Sequence, residues 1–328
     1  MAYATARPMQ PDSIPVIDIS PLSNGTDPQS VADALQAAST GLGFIYIKGH
    51  GIPDEVISAA RATAFQFFKS TEAEKSSVLV SSKHRGWLKP GAAKMGDDAK
   101  ADLKESFIWG HQDSAGHTDE DHPLRGKNQW PEFLPGMDQI AMSYFSYAHK
   151  VAFDLMRGFA IGLGLPENFF LLTADRPLSR ASYVYYPAQD ESCGEEQFGV
   201  APHTDFGVLT VLCQDDTGGL QVQDVNGDWI HAPPIEGTLI VNVADLLARW
   251  TGGAYKSTPH RVVNRSGRER LSLVLAFDPN PETLIDPAQV NDGVGPSIQD
   301  KITCGDYLQW RFAKAFSYRD TNADSGNS

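Results

Sequence analysis

The sequence is poor in three features that define other classes of protein: basic charge, long apolar runs and cysteine. Lys and Arg number 27 against 41 Asp and Glu, a formal net charge of −14. Binding to nucleic acid or to an anionic membrane surface needs cationic side chains, so this balance argues against both. The longest apolar stretches, such as residues 271–277, fall far short of the roughly 20 residues that a membrane-spanning helix requires.

Only three cysteines occur, Cys193, Cys213 and Cys304, and they are far apart without a CxxC pair. They form neither a disulfide framework nor a zinc motif, and they suit a reducing compartment. The first residues also lack the apolar segment of a secretory signal. We therefore expect a cytoplasmic protein with no nucleic-acid or membrane partner and no evident obligate protein partner.

The composition that is present, 41% hydrophobic and 10% aromatic residues, is that of a globular chain. Apolar periodicity predicts strands at 14–19 and 44–47, helices that begin at Asp27-Pro28 and at Asp54, and a long helix over about 137–165. From 182 to 279 the period changes to two, in short segments separated by turns, which favours a sandwich or barrel.

This pattern predicts one compact structural unit with three parts. Residues 1–135 form an α/β region that packs on the barrel and contributes a lid, residues 136–316 form a helix and the barrel, and 317–328 form a polar tail. The polar, irregular stretch 81–135 is the candidate lid. We expect it to supply flat apolar walls of a substrate pocket and possible polar anchors: Trp87, Phe107 and Trp109 as walls, and Arg85, Lys89 and Lys104 as anchors.

The strongest chemical signal is His203-Thr204-Asp205, which adjoins a strong strand pattern. In an extended segment, residues i and i+2 project to the same side about 7 Å apart, so an imidazole and a carboxylate can converge. His260 begins a later strand segment and can bring a second imidazole to the same point. Two histidines and one carboxylate on one face of a metal leave three positions open, as in non-heme Fe(II) oxygenases.

Arg270-Leu271-Ser272 follows ten residues after His260, again as an i, i+2 pair on one strand. A guanidinium and a hydroxyl side by side suit a carboxylate, because the arginine gives charge-assisted hydrogen bonds and the serine one more. A buried arginine without an anion is costly, so an internal acid or a ligand carboxylate must accompany it.

These residues together resemble the signature of the isopenicillin N synthase-like Fe(II)/2-oxoglutarate-dependent dioxygenases. That family also has a Tyr-Tyr-Pro element, found here at 185–187, a Gly-Gly-Leu-Gln-Val element, found at 218–222, and amino-terminal motifs found at 14–18 and 43–52. The resemblance covers roughly residues 13–315. It implies a mainly β, α+β fold with a distorted jelly-roll (double-stranded β-helix) core and flanking helices.

The same resemblance assigns roles to single residues. It places Fe(II) on His203, Asp205 and His260, and the distal carboxylate of 2-oxoglutarate on Arg270 and Ser272. The position of Tyr186 matches one that often hydrogen-bonds the cosubstrate. One departure is Ala244, where many members have glycine. The implied reaction uses dioxygen to oxidise, typically by hydroxylation, a small molecule with release of succinate and CO2.

Within the family, several segments are similar to the fungal thymine hydroxylases and to bacterial relatives with diverse substrates; they lie at 85–86, 90–91, 104–106, 245–250 and 256–263. This favours a small-molecule hydroxylase without fixing its substrate.

Three alternatives stay open at the level of sequence. An isopenicillin N synthase-type oxidase uses the same triad without 2-oxoglutarate, and its Arg-x-Ser holds the substrate's own carboxylate. An ethylene-forming-type enzyme fragments 2-oxoglutarate. A cupin-like sensor would keep a structural metal.

A second HxD at His117 and Asp119 has no following apolar strand, and we interpret it as a solvated loop.

Overall fold

The structure, a computed structural model, describes residues 5–10, 13–93, 102–113, 120–189, 198–290 and 300–316. The second HxD motif, Cys193 and the predicted polar tail lie outside these residues. In the described ranges the strands are β1 (Val16–Asp18), β2 (Phe44–Lys48), β3 (Gly86–Leu88), β4 (Glu105–Gly110), β5 (Arg180–Tyr186), β6 (Val200–His203), β7 (Leu209–Gln214), β8 (Leu220–Gln223), β9 (Trp229–His231), β10 (Leu239–Val243), β11 (His260–Val262), β12 (Arg270–Phe277), β13 (Leu284–Ile285) and β14 (Ile302–Thr303).

The α-helices in the same ranges are α1 (Ser20–Ser23), α2 (Pro28–Gly41), α3 (Asp54–Phe68), α4 (Glu72–Ser76), α5 (Met137–Gly162), α6 (Asp245–Trp250) and α7 (Cys304–Ala315). The predicted start of α2 is confirmed: the Asp27 side chain accepts a hydrogen bond from the Ser30 N–H at 3.2 Å, and Pro28 occupies the first helical position. No helix in the described part of the chain is long and apolar enough to cross a bilayer.

Two sheets form the core of the molecule. The larger has eight strands in the order β1-β2-β10-β7-β12-β5-β4-β3, and the smaller has four in the order β6-β11-β8-β9. An apolar cluster joins them, with Val184 and Tyr186 from the larger sheet against Val200, Leu220 and Val262 from the smaller one. Two facing, mostly antiparallel sheets confirm the predicted jelly-roll core.

The helices cover the opposite face of the larger sheet. Leu155 and Phe159 of α5 share a continuous buried cluster with Phe67 of α3 and with Leu273 and Leu275 of β12. Because side chains alternate along a strand, β12 sends Leu273 and Leu275 to this helical layer and the residues between them to the other sheet. The helices therefore hold the larger sheet from behind and leave the space between the sheets for a site.

The stretch 81–135 is less irregular than its composition predicts. Strands β3 and β4 lie within it and extend the larger sheet beyond β5, with Ser106 opposite Val184 and Ile108 opposite Ser182. The prediction of a structureless lid is therefore wrong for these strands, since their backbone groups are paired in the sheet. The division of the chain at residue 135 stays a prediction.

Candidate metal centre and active site

His203, Asp205 and His260 lie together at one end of the smaller sheet. His203 ends β6 and His260 begins β11, and the two residues are directly opposite each other in the antiparallel register. The Nε2 atoms of both imidazoles lie 3.7 Å from Asp205 Oδ1. The three potential ligand atoms are all within 4.8 Å of one another. The pairing of β6 with β11 thus confirms the prediction that these three residues converge.

The hydrogen bonds around the triad orient it for metal binding. Nδ1 of His203 donates to the Ala201 carbonyl at 2.8 Å, and Nδ1 of His260 donates to the Thr258 carbonyl at 3.2 Å. Because a carbonyl oxygen only accepts, each Nδ1 carries the proton and each Nε2 keeps its lone pair. Asp205 Oδ2 accepts a hydrogen bond from Asn242 at 2.8 Å, so the other carboxylate oxygen faces the imidazoles.

The electrostatics of the triad favour the protonation states that a metal needs. Burial, reinforced by the neighbouring His260, lowers the pKa of His203 to about 3, so its imidazole is neutral. Burial acts to raise the pKa of Asp205, but the two histidines and the hydrogen bonds from Thr210 and Asn242 outweigh it and hold that pKa at about 2. A neutral imidazole and an ionised carboxylate are both competent metal ligands.

The donor set fits Fe(II) better than a structural zinc. It has two imidazole nitrogens and one carboxylate oxygen, and in the part of the chain that the structure describes no fourth His, Cys, Asp or Glu joins the group. A structural zinc site would be closed by a fourth ligand, whereas a two-histidine, one-carboxylate face with open positions is the arrangement of non-heme iron oxygenases.

Arg270 and Ser272 lie on β12 with their side chains toward the space between the sheets. Each residue is 1% exposed. Arg270 Nε donates to the Gly218 carbonyl at 2.6 Å, and its guanidinium lies 4.6 Å from the centre of the Tyr186 ring. Among the described residues, however, Arg270 Nη1 and Ser272 Oγ have no hydrogen-bond partner. A buried cation with an unpartnered N–H beside an unpartnered hydroxyl is a site for an anion.

Two successive glycines shape this anion site. Gly218 and Gly219 both have left-handed backbone, with φ of +78° and +89°. A Cβ on Gly219 would lie 2.5 Å from the Val263 carbonyl oxygen, so no side chain fits there. This turn directs the Gly218 carbonyl to Arg270, which explains why the Gly-Gly element accompanies the Arg-x-Ser pair in the sequence.

A cavity of about 190 Å³ lies between the two sheets and connects the triad to the anion site. It is lined by all six residues predicted for metal and cosubstrate: His203, Asp205, His260, Arg270, Ser272 and Tyr186. Of the predicted polar anchors, Lys104 lines it. Lys89 instead pairs with Glu72 at the surface, and the buried Arg85 is not among the lining residues.

The predicted aromatic walls are wrong. Trp87, Phe107 and Trp109 are at most 2% exposed, belong to the core cluster of the helical layer and do not line the cavity. In β4 the residues that alternate with Phe107 and Trp109 are Ser106 and Ile108, and these line the cavity instead. Packing decides which of these two faces of β4 meets the helices.

Sequence reasoning missed several residues of this site. Asn242 is the one polar residue of the apolar strand β10. A buried polar residue in such a strand needs a hydrogen-bond partner, so the sequence alone could have indicated a polar role for it, which is the hydrogen bond to Asp205. Arg180 and Ser182 continue the polar alternation of β5. No local signal in the sequence marks four further residues that line the cavity: His84, Phe206, Phe312 and Phe316.

Comparisons with known proteins agree with this geometry. The family profile described as "non-haem dioxygenase in morphine synthesis N-terminal" matches residues 14–133, and the profile described as "2OG-Fe(II) oxygenase superfamily" matches residues 177–279. The second match contains the triad and the Arg-x-Ser pair.

Individual relatives extend over most of the chain. A probable iron/ascorbate oxidoreductase of Dictyostelium discoideum is 35% identical over 306 residues, covering 82% of each chain. A homoarginine-6-hydroxylase of Oryza sativa subsp. japonica is 32% identical, covering 90% of this chain and 95% of its own. The crystal structure of the full-length thymine 7-hydroxylase of Neurospora crassa with 2-oxoglutarate and thymine has a TM-score of 0.82 at 30% identity, covering 93% of this chain and 99% of its own.

Proposed function

The chain belongs to the 2OG-Fe(II) oxygenase superfamily, and on this premise we propose that it hydroxylates a small molecule in the cavity between its two sheets, with iron on His203, Asp205 and His260. It is an Fe(II)- and 2-oxoglutarate-dependent oxidoreductase. The proposal adds the residues that perform each task and the region that takes the substrate.

The observation that carries the residue assignment is the pair of unpartnered polar atoms, Arg270 Nη1 and Ser272 Oγ. They are buried in the same cavity as the triad, and neither atom has a partner within the described ranges. A dicarboxylate that reaches from the metal to this pair would satisfy both atoms. The distal carboxylate of 2-oxoglutarate is therefore assigned to Arg270 and Ser272, with the Tyr186 ring beneath the guanidinium.

Each residue then has a defined task. Iron, when bound, supplies the activation of dioxygen that the hydroxylation needs, while 2-oxoglutarate is converted to succinate and CO2. His203, Asp205 and His260 would hold the iron beside the cavity that they line. Asn242 fixes the Asp205 carboxylate, and the apolar residues of the cavity, such as Leu220 and Val262, exclude water around the cosubstrate.

The size of the cavity limits the substrate. The cavity of about 190 Å³ also receives the cosubstrate, which favours a small substrate. Thymine is bound in the similar Neurospora crassa structure, and the similar rice enzyme is a homoarginine hydroxylase. Small heterocycles, with thymine first, and amino acids second are therefore the compounds to screen.

The test is anaerobic binding of Fe(II) and 2-oxoglutarate followed by visible absorption, since a bidentate keto-acid complex gives a charge-transfer band. We expect the band in the wild-type protein and its loss in Asp205→Ala. The matched control is His231→Ala, an exposed histidine on β9, which should keep the band. A full band in Asp205→Ala, or its loss in the control, would show that the metal is held elsewhere.

A further inference from the structure

We infer that Asp245 is a positioning residue for the metal centre, whose side chain and backbone hold Asp205 and His260 at the separation that Fe(II) binding needs. This inference rests on the proposed function and adds to it a residue outside the cavity. Asp245 is the first residue of α6, two positions after the end of β10, and is not among the residues that line the cavity.

The contacts of the Asp245 side chain are the first observation. An acidic residue in the first turn of a helix ordinarily serves its own helix, by accepting from the free N–H groups or by facing the positive end of the dipole. Here the Ser257 hydroxyl donates to Oδ1 at 2.7 Å, and the Tyr307 hydroxyl donates to Oδ2 at 3.1 Å. The carboxylate thus binds two segments distant in sequence, and its role is to connect them.

The backbone of Asp245 reaches the carboxylate ligand of the triad. Its N–H donates to the Asp205 carbonyl at 2.9 Å, and the next N–H, that of Leu246, donates to the Gly207 carbonyl at 2.8 Å. The loop that follows β6 and carries Asp205 is therefore fixed to the start of α6 on both sides of Phe206. Any displacement of Asp245 would carry the metal-binding carboxylate with it.

The Ser257 contact leads to the second imidazole of the triad. Ser257 is followed by Thr258, whose carbonyl accepts the hydrogen bond of His260 Nδ1 at 3.2 Å. The hydrogen bond at Nδ1 of a metal-binding histidine fixes the orientation of Nε2. Because Asp245 anchors the segment that supplies this carbonyl, the bond between Asp245 and Ser257 sets the direction in which His260 presents its lone pair.

A third connection returns to the segment of Asp205 through helix α7. Arg311 Nη2 lies 3.3 Å from Asp245 Oδ2, and the Arg311 guanidinium lies 4.1 Å from the centre of the Phe206 ring. Phe206 directly follows Asp205 in the chain. The Asp245 side chain is only 15% exposed, so water weakens these contacts little. Three connections from one residue thus end beside two of the three metal ligands.

The experiment compares wild type with Asp245→Ala, Ser257→Ala and Asp245→Asn. Both alanine variants remove the bond between residues 245 and 257, and Ser257→Ala does so with the contacts of Asp245 to α7 intact, should Asp245→Ala not fold. The asparagine amide can still bond to the serine hydroxyl, which both donates and accepts. Fe(II) affinity is measured by anaerobic titration, and the charge-transfer band at saturating Fe(II) and 2-oxoglutarate reports the coordination geometry. The matched control is Ser23→Ala, which removes a serine-to-aspartate hydrogen bond of 3.0 Å, to Asp154, between residues that do not line the cavity.

We expect Ser257→Ala and Asp245→Ala to bind Fe(II) about tenfold more weakly or worse and to shift the maximum of the band, since residues that support metal ligands contribute about ten- to hundredfold to affinity. Asp245→Asn should stay close to wild type, and Ser23→Ala should match it. Wild-type Fe(II) affinity in Ser257→Ala would overturn the inference. So would weaker binding with an unshifted band, or an equal loss in Ser23→Ala, because the network would then be a general structural support. Failure of the proposed function is distinguishable, since the wild-type protein itself would then give no charge-transfer band.

Discussion

At the scale of single residues, Arg270 decides whether the cavity can hold a dicarboxylate. Its guanidinium is buried, stacked on Tyr186 and bound to the Gly218 carbonyl, and Nη1 is left without a partner among the described residues. We expect Arg270→Leu to raise the KM for 2-oxoglutarate about 100-fold, which corresponds to about 2.7 kcal/mol, because one partner of a desolvated ion pair is removed. The measurement is succinate formation against 2-oxoglutarate concentration.

The matched control for Arg270 lies two residues earlier on the same chain. Arg268 is exposed and lies 3.5 Å from Asp216, a surface pair that contributes little. Arg268→Leu should keep the wild-type KM. An unchanged KM in Arg270→Leu would mean that the cosubstrate carboxylate binds elsewhere, and the buried arginine would then be a structural residue of β12.

At the scale of elements, strand β4 depends on a buried ion pair behind it. Lys75 of α4 donates to both carboxylate oxygens of Glu105, at 2.8 and 3.1 Å, and Trp87 Nε1 donates to Glu105 Oε2 at 2.6 Å. The network ties α4, β3 and β4 together on the helical side. It thereby holds Ser106 on the cavity side of β4, so a residue outside the cavity positions one that lines it.

Breaking this pair by removing one charge should destabilise the protein strongly. Glu105→Gln leaves the Lys75 ammonium buried without a counter-charge, and we expect the free energy of unfolding to fall by about 3 kcal/mol. Urea denaturation measures it. The control is Glu72→Gln, which removes the carboxylate of an exposed pair with Lys89 and should cost less than about 0.5 kcal/mol. Equal losses in the two variants would refute the argument from burial.

At the scale of the whole molecule, stability should fall on mild acidification. His149 of α5 packs against Phe145, Phe153 and Phe277, and burial, with the facing His111 acting in the same direction, lowers its pKa from 6.5 to about 3. The unfolded chain therefore binds a proton between these values and the folded chain does not. The stability that the folded state owes to the buried, neutral His149 is fully present above pH 6.5 and is lost as the pH falls toward 3.

The direction of this pH dependence can be measured. Between pH 7 and pH 5 the free energy of unfolding should fall by about 2 kcal/mol through His149, and His149→Phe should remove that part of the fall. The exposed His231→Phe should leave the slope unchanged. Both are read from urea denaturation at the two pH values, and an identical slope in His149→Phe and wild type would exclude His149 as the source.

The sequence by itself determined the local geometry of the pairs proposed for metal and cosubstrate and most of the elements that carry them. His260 is the exception, because only the pairing of β11 with β6 brings it opposite His203. His203 and Asp205, like Arg270 and Ser272, are i, i+2 pairs in extended segments, so their side chains converge by local geometry alone. The start of α2 at Asp27-Pro28 is equally local. Such features could be predicted because the interactions that produce them join residues only a few positions apart.

Tertiary structure decided the rest of the cavity. Strand β4 was not predicted from the sequence, and the helical layer of α3 and α5 buries its large aromatics and so turns Ser106 and Ile108 toward the cavity. Phe312 lies far along the chain from His84, and the two rings meet because Asp245 docks α7 on α6. This part of the cavity is therefore built from contacts between distant segments, and only the packed molecule defines which residues meet there.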